Sequence, residues 1–298
     1  MQKTATGEWT LAEAEVLGRS VLRFPSAHDT QPWRVELTDG AVLLRERVDV
    51  TLPRRDQAMS CGTALANLEL AVRVLGRRAE ITVLPDPEQT DIVARVEAAE
   101  PLPPTDQELQ RYGAIMVRRS HRGAFTGLPV RAEQTARVAA AAATTGAEAI
   151  RLDGVARLAR FFGHAARTLQ DEAAGTWFAA LPPVAPELFL LRERLEAETV
   201  LLFTTPGDAR IDHIRAGYAL ERCWLEGVTL GLAGAVLTQP LRVPGVRSAL
   251  CEDYRLAGFP QALLRLGRST RVAPASLRRG VAEVLGERWV RQSRRPVP

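Results

Sequence analysis

Apolar positions alternate between two periods along the chain, and the switches mark its elements. Leu11, Ala14, Val16, Leu17 and Val21 recur at helical spacing and predict a helix over 10–23. A loop of Pro, Ser, Asp and Thr follows, from Phe24 to Trp33. Alternating segments at 34–37 and 41–45, joined by Thr38-Asp39-Gly40, predict a hairpin, because Asp-Gly suits a tight turn. A strong amphipathic helix is expected over 60–76, stopping at Gly76, then a strand at 79–84. Residues 100–105, Glu-Pro-Leu-Pro-Pro-Thr, form a linker-like break. Beyond it the pattern predicts helices near 106–117, 131–145, 154–172 and 186–197. A strand is expected at 200–204, a helix over 211–231 ending at Gly231, and a strand at 262–267.

Two of these segments match each other. GTALANLELAVRVLG begins at Gly62 and GYALERCWLEGVTLG at Gly217, 155 residues later. Both place Gly first, Ala at +2, Leu at +3, +8 and +13, and Gly at +14. Shared composition could give part of this, but equal length and both flanking glycines favour an internal duplication.

Composition narrows the class. The 298 residues suffice for one large domain or two small ones, and 46% are hydrophobic. No run approaches the ~18 apolar residues of a membrane span. Lys3, Glu8, Glu13 and Glu15 interrupt any apolar signal region, so a cytoplasmic protein is expected, with no membrane partner. The net charge of +4 comes from arginines spread among 35 acidic residues, which favours a solvated surface over nucleic-acid binding. The basic tail from Arg288 to Arg295 reads as a solvated end. Cys61, Cys223 and Cys251 form no CxxC pair, and an odd count argues against a disulfide framework. His28, His121, His164 and His213 lack metal-ligand spacing, so no metal site is expected.

Three segments carry candidate chemistry. In Phe24-Pro25-Ser26-Ala27-His28-Asp29-Thr30-Gln31-Pro32-Trp33, two prolines stiffen a loop that presents polar side chains. It would serve equally as a polar helix-to-strand turn. In Val117-Arg118-Arg119-Ser120-His121-Arg122-Gly123-Ala124-Phe125, closely spaced arginines around a serine suit a phosphate, although a basic run at a helix end has the same look. Arg268-Ser269-Thr270-Arg271 and Ser276-Leu277-Arg278-Arg279 follow the last strand and could complete the same anion site.

Together these segments resemble the nitroreductase superfamily, and within it the actinobacterial FMN-binding branch typified by Acg. TTPGDARIDHIRAGYALERCWLEGVTLGLAGAVLTQPLRVP, SCGTALANLELAVRVLG and PQALLRLG carry the likeness. The resemblance implies an α+β nitroreductase-like fold, internally duplicated as a single-chain pseudo-dimer, with mixed sheets wrapped by helices. The halves would be residues 1–103 and 104–298, intertwined, with the two repeated helices at their interface. In this family each FMN is shared between two subunits: an Arg-x-Ser-x-Arg segment from one, a Pro-Ser loop from the other. Here the loop occurs only in the first half and the arginine segment only in the second. The degenerate counterpart of the arginine segment is Gly18-Arg19-Ser20, and that of the loop is 142–147. One FMN per chain is therefore expected. Arg118, Ser120, Arg122, Arg278 and Arg279 would hold its phosphate. Pro25, Ser26, Ala27, Asp29 and Gln31 would lie against the flavin and ribityl chain, with Thr238 and Gln239 near N5. NADH or NADPH would be the co-substrate.

Two departures bear on function. Asp29 stands where the family has Asn, and a carboxylate cannot donate as an amide does unless protonated. The stretch between Ala173 and Pro186 is shorter than the Acg-branch lid, which favours turnover of a small-molecule substrate. The expected activity is an FMN-dependent oxidoreductase passing hydride to a nitroaromatic, quinone or enone. The alternative is an FMN storage protein with little turnover. No residue stands out as an acid or base; His28 and His121 read as structural. With the dimer-like interface internal, the chain could be a monomer.

Overall fold

The computed structural model describes residues 9–23, 26, 30–47, 49–50, 52–153, 198–271, 273 and 278–285. The helices expected over 154–172 and 186–197, the lid stretch between them and the basic tail lie outside the described residues.

Helix α1 (Leu11–Val21) begins with a reciprocal cap: the Thr10 hydroxyl accepts from the Glu13 amide, and the Glu13 carboxylate from the Thr10 amide. Strands β1 (Trp33–Thr38) and β2 (Ala41–Glu46) form the expected hairpin, with Gly40 at φ 67°. Helix α2 (Arg54–Val74) starts a turn and a half before the predicted position, and β3 (Arg77–Val83) follows it. Strand β4 (Ile92–Pro101) was not predicted; it is ten residues long and sits inside the sheet, which has the order β1-β2-β4-β3.

The second half repeats this plan. After α3 (Asp106–Val117) and α4 (Ala132–Ala140) come β5 (Glu148–Arg151) and β6 (Thr199–Thr205). Then follow helix α5 (Arg210–Thr229), β7 (Ala233–Leu237), a 3-10 turn (Gln239–Arg242), α6 (Pro244–Tyr254) and β8 (Phe259–Gly267). Their sheet has the order β5-β6-β8-β7, the same first-second-fourth-third arrangement. All strand pairs in both sheets are antiparallel, where mixed sheets are expected from the sequence; an isolated parallel bridge, Ser120 to Gly234, joins the arginine segment to β7. Helices α2 and α5 both end before a glycine with positive φ, Gly76 (79°) and Gly231 (73°), where an L side chain would be strained. Cys61 and Cys223 are buried in these helices, and burial pushes both thiols up.

The two long helices cross at the repeated glycines. A Cβ on Gly62 would stand 2.1 Å from the Ile214 carbonyl oxygen, and one on Gly217 would stand 2.0 Å from that of Met59. Met59 and Ile214 are themselves 155 residues apart, as are Gly62 and Gly217, so the contact is reciprocal, as across a two-fold axis. Met59 packs into the second half's core and Ile214 into the first half's. The pattern extends to Arg55 and Arg210. Arg55 donates to the Gln261 carbonyl at the start of β8, and Arg210 to the Thr90 carbonyl just before β4, at 2.6 Å. The sequence repeat is thus a repeat of structure.

The halves also interlock through the last described helix, α7 (Val281–Leu285), which follows β8 in sequence. Val284 and Leu285 are buried in the first half's core, and Leu285 and Val281 close over α1 where Gly18 has no side chain.

Gly62→Ala and Gly217→Ala are each expected to destabilise the fold by at least ~2 kcal/mol, because a backbone carbonyl cannot move aside as a side chain can. Gly113→Ala in α3 meets nothing within 4 Å and should be neutral or stabilising by ~0.5–1 kcal/mol. Urea unfolding of the three variants checks the contrast.

Candidate functional site

The arginine segment is delivered by α3 and clamped by the second sheet. Thr105 and Glu108 cap the start of α3 as Thr10 and Glu13 cap α1. Glu108 also takes a bidentate pair from Arg73 of α2, at 2.7 and 3.0 Å, which holds its carboxyl at about 2. On the facing side the buried Glu226 of α5 accepts from Arg111 (2.6 Å) and Arg137 (2.5 Å), tying α3 and α4 to the long helix. The chain leaves α3 at Arg118 and runs beside β7. There the His121 amide donates to the Gly234 carbonyl at 2.8 Å. Arg265, buried on β8 and paired with Glu198 at 2.5 Å, donates to the Gly123 carbonyl and lies 5.2 Å from the Phe125 ring centre. Phe125 occupies the space that Gly267 leaves without a Cβ.

Arg118 closes the turn onto the first half. Its Nη2 donates to the Arg23 carbonyl at 2.8 Å, immediately before the Pro-Ser loop. Its Nε lies 3.3 Å from Glu221 Oε1, and its Cζ lies 4.4 Å from the Trp224 ring centre. Glu221 on α5 is fully buried. Burial pushes its carboxyl up to about 7, against the lowering effects of Arg118, the neighbouring Asn67 amide of α2, and Arg278. Arg119 next door is held below the usual guanidinium range, first by partial burial and then by Arg23 and Arg278.

The loop and the C-terminal basic pair meet at the same place. Gln31 is buried with φ 49°; its amide donates to Ser26 Oγ at 3.0 Å, and its side-chain oxygen accepts from the Arg279 amide at 3.2 Å. The docking of α7 onto α1 and β1 therefore places Arg278 and Arg279 against the loop.

The structure thus brings together Ser26, Gln31, Arg118, Arg278 and Arg279. Ser120 and Arg122 are exposed on the continuing segment. Pro25, Ala27 and Asp29 lie outside the described residues, as does His28. Thr238 and Gln239 stand apart from the cluster. They are half-buried at the other end of β7, about 13 Å along the strand from Gly234 at ~3.3 Å per residue. Their side chains make no hydrogen bond among the described residues. His121 is structural: its Nε2 bonds with the Ala124 carbonyl at 3.0 Å and closes the turn. Among the described residues no group of three or more His, Cys, Asp or Glu side chains is placed to hold a metal, and no helix is long and apolar enough to cross a membrane.

Sequence reasoning overlooked Glu221, Asn67 and Arg23. For Glu221 a signal existed: it falls on the apolar stripe Gly217, Leu220, Trp224, Leu225, where the helical period calls for a hydrophobic residue. A charge there needs a buried partner.

Glu221→Ala leaves Arg118 buried without its counter-charge and is expected to cost ~3–5 kcal/mol in urea unfolding above pH 7. The pH dependence has a definite sign. A carboxyl raised in the folded state contributes stability at low pH that is lost as pH rises through about 7. The stability of the wild type relative to Glu221→Gln should therefore fall between roughly pH 4.5 and 7; a flat difference across that window would contradict the assignment.

No family model matches the chain. It is 29% identical over 286 residues to a Mycobacterium tuberculosis protein named "Putative NAD(P)H nitroreductase Rv3131", covering 83% of this chain and 82% of that one. It is 25% identical over 319 residues to "Putative NAD(P)H nitroreductase acg" of the same species, covering 92% and 96%. Among solved structures, a BluB-like flavoprotein from Clostridium difficile aligns with TM-score 0.46 and 17% identity, over 58% of this chain and 96% of that one. A nitroreductase with bound FMN from Bacteroides fragilis aligns with TM-score 0.42 and 16% identity, over 56% and 92%. Over most of its length the chain is a relative of the mycobacterial proteins named as NAD(P)H nitroreductases, Acg among them.

Proposed function

We propose that the chain binds one FMN at the junction of its two halves and acts as an FMN-dependent oxidoreductase. NADH or NADPH is the reductant, and a small organic molecule such as a nitroaromatic, quinone or enone is the acceptor. The observation that carries this reading is the convergence at one junction of three segments far apart in sequence: the Pro-Ser loop, the arginine segment and the C-terminal basic pair. The names of the mycobacterial relatives support the same chemistry.

The donor set fits the cofactor. Guanidiniums and a serine hydroxyl suit a phosphate monoester. Gln31, fixed from both sides, can orient a polar chain beside it. FMN would supply hydride transfer in two-electron steps. The protein's part is to neutralise the phosphate with the arginines, to hold the ribityl side with the loop, and to approach the flavin edge with Thr238 and Gln239.

The halves are residues 1–103 and 104–298, and only one junction keeps a site. At the other, the counterpart of the Pro-Ser loop lies under α5. Gly146 faces the Arg215 side chain, where a Cβ would come within 2.8 Å, and Arg222 Nε donates to the Ala141 carbonyl at 3.0 Å. Arg222 also pairs with Glu69 of α2 at 2.8 Å. These contacts tie the counterpart segment to α5 and support the reading that this junction holds no flavin. With the pseudo-dimer interface internal, the chain functions as a monomer.

The purified protein is expected to be yellow and to release about one FMN per chain on denaturation. NADH or NADPH should bleach the bound flavin, and a quinone or nitroaromatic should restore its colour. About two FMN per chain would overturn the single-site reading. Flavin that is bound but not reduced would replace the oxidoreductase with the storage protein. Absence of flavin, with none taken up on addition, would overturn both.

A further inference from the structure

We infer that Asp56 and Arg242 are positioning residues: through their buried ion pair, the start of α2 holds the Gln239–Arg242 turn in register with the end of the Pro-Ser loop. This rests on the FMN reading, in which that turn approaches the flavin edge, and it gives a role to residues outside the donor set.

Arg242 ends the 3-10 turn that follows β7 and begins at Gln239. Its guanidinium reaches from the second half to Asp56, in the first turn of α2. The two side chains are 9% and 1% exposed. Apart from this ion pair, no nitrogen of the Arg242 guanidinium has a hydrogen-bond partner among the described residues. The other Asp56 oxygen lies 3.7 Å from Nη1 of Arg55, whose Nη2 donates to the Gln261 carbonyl on β8. A buried second-half guanidinium thus depends on one first-half carboxylate. Moving the turn away would leave Arg242 with neither water nor counter-charge, the costly arrangement for a buried ion.

The same helix start holds the loop. Gln57, next to Asp56, donates from Nε2 to the Arg47 carbonyl at 2.8 Å, and the Arg47 amide donates to the Pro32 carbonyl at 2.9 Å. One turn further along α2, Cys61 Sγ lies 3.7 Å from that Pro32 carbonyl oxygen. Pro32 closes the Pro-Ser loop. Two adjacent residues of α2 therefore fasten the two segments that flank the proposed flavin, one from each half. The arrangement exists on one side only. The residue 155 positions after Asp56 is Ile211, which carries no charge. In the first half β3 leads to β4 through 84–91 without a helical turn, whereas β7 leads to β8 through the 3-10 turn and α6. A general fastening of the fold would recur at both ends of the pseudo-two-fold; a requirement of the one retained site is met once.

The test reads apoprotein and flavoprotein separately. The Leu241 and Val243 amides close the turn on the Thr238 and Pro240 carbonyls. In apoprotein their hydrogen exchange is expected to quicken about tenfold in Asp56→Asn and in Arg242→Gln, the scale of one charge-assisted bond. Both variants should bind oxidised FMN within about threefold of wild type, because the phosphate end is untouched, the scale being far below one charge-assisted bond. The ratio of reduced to oxidised FMN affinity, read by titration against redox dyes, should fall about tenfold, because donors at the flavin edge act on the charge of the reduced form only when held in place. The double variant should do no worse than either single one, since its second change removes a partner already lost. Arg242→Lys should restore part of both readouts. An unmoved ratio would make the pair merely structural, and unmoved exchange would place its effect elsewhere; either result overturns the inference, as do losses that multiply in the double variant. Should the neutral variants not fold, Asp56→Glu and Arg242→Lys keep both charges and change only their reach; they are then expected to move both readouts in the same direction, and wild-type values overturn the inference. If wild type takes up no FMN, the FMN reading fails and the positioning role fails with it, whereas FMN bound with an unmoved ratio sinks the positioning role alone.

Discussion

The close crossing of α2 and α5 at Gly62 and Gly217 is the contact on which the rest of the molecule depends. Carbonyl oxygens stand about 2 Å from where Cβ atoms would be, so the helices meet backbone to backbone. At that separation Met59 reaches the second core and Ile214 the first, so each helix contributes to both hydrophobic clusters. Larger residues at either glycine would hold the helices apart and open a gap along their whole contact. Because both sides of the crossing obey the same constraint, it fixes the halves in a two-fold relation, and that relation generates two equivalent junctions.

What distinguishes the junctions is charge rather than shape. At one, α5 presents Glu221 and Trp224, and α2 presents Asn67. The residues 155 positions away from these are Ala66, Glu69 and Arg222. The arginine-binding carboxylate Glu221 thus has Ala66 as its counterpart, and Asn67 has Arg222, which bonds to Glu69 and to the Ala141 carbonyl. A near-symmetric scaffold has become asymmetric through a few buried ionic choices, with the backbone plan unchanged.

These buried ions act mainly as positioning devices. Glu226 joins three helices, Arg265 with Glu198 pins the turn after Arg118, and Glu108 ties α3 to Arg73. Buried pairs add little net stability over a well-packed apolar alternative, but each penalises any arrangement that separates its members. Around a site assembled from distant segments, that penalty keeps the segments in register.

The sequence by itself determined the long helices, their glycine stops, the first hairpin and the duplication, because these rest on local periodicity and on spacing within one segment. The three chemical segments were legible as well, since their prolines, arginines and serines stand close together in the chain. Strand β4 was not. Its Ala, Arg and Glu residues have weak strand preference, and it is a strand because β2 and β3 flank it. Strand β7, AGAVL, is written in small residues for the same kind of reason: the Trp224 ring lies where a Cβ on Gly234 would be, at 2.6 Å. Tertiary structure alone decided which arginine is sealed against a buried carboxylate. Arg118 and Arg119 are neighbours with the same side chain; one is sealed against Glu221, 103 residues later, and the other bonds to the Met116 and Arg118 carbonyls. That difference depends on which partners the fold brings within a few ångströms, and the order of residues along the chain carries no record of it.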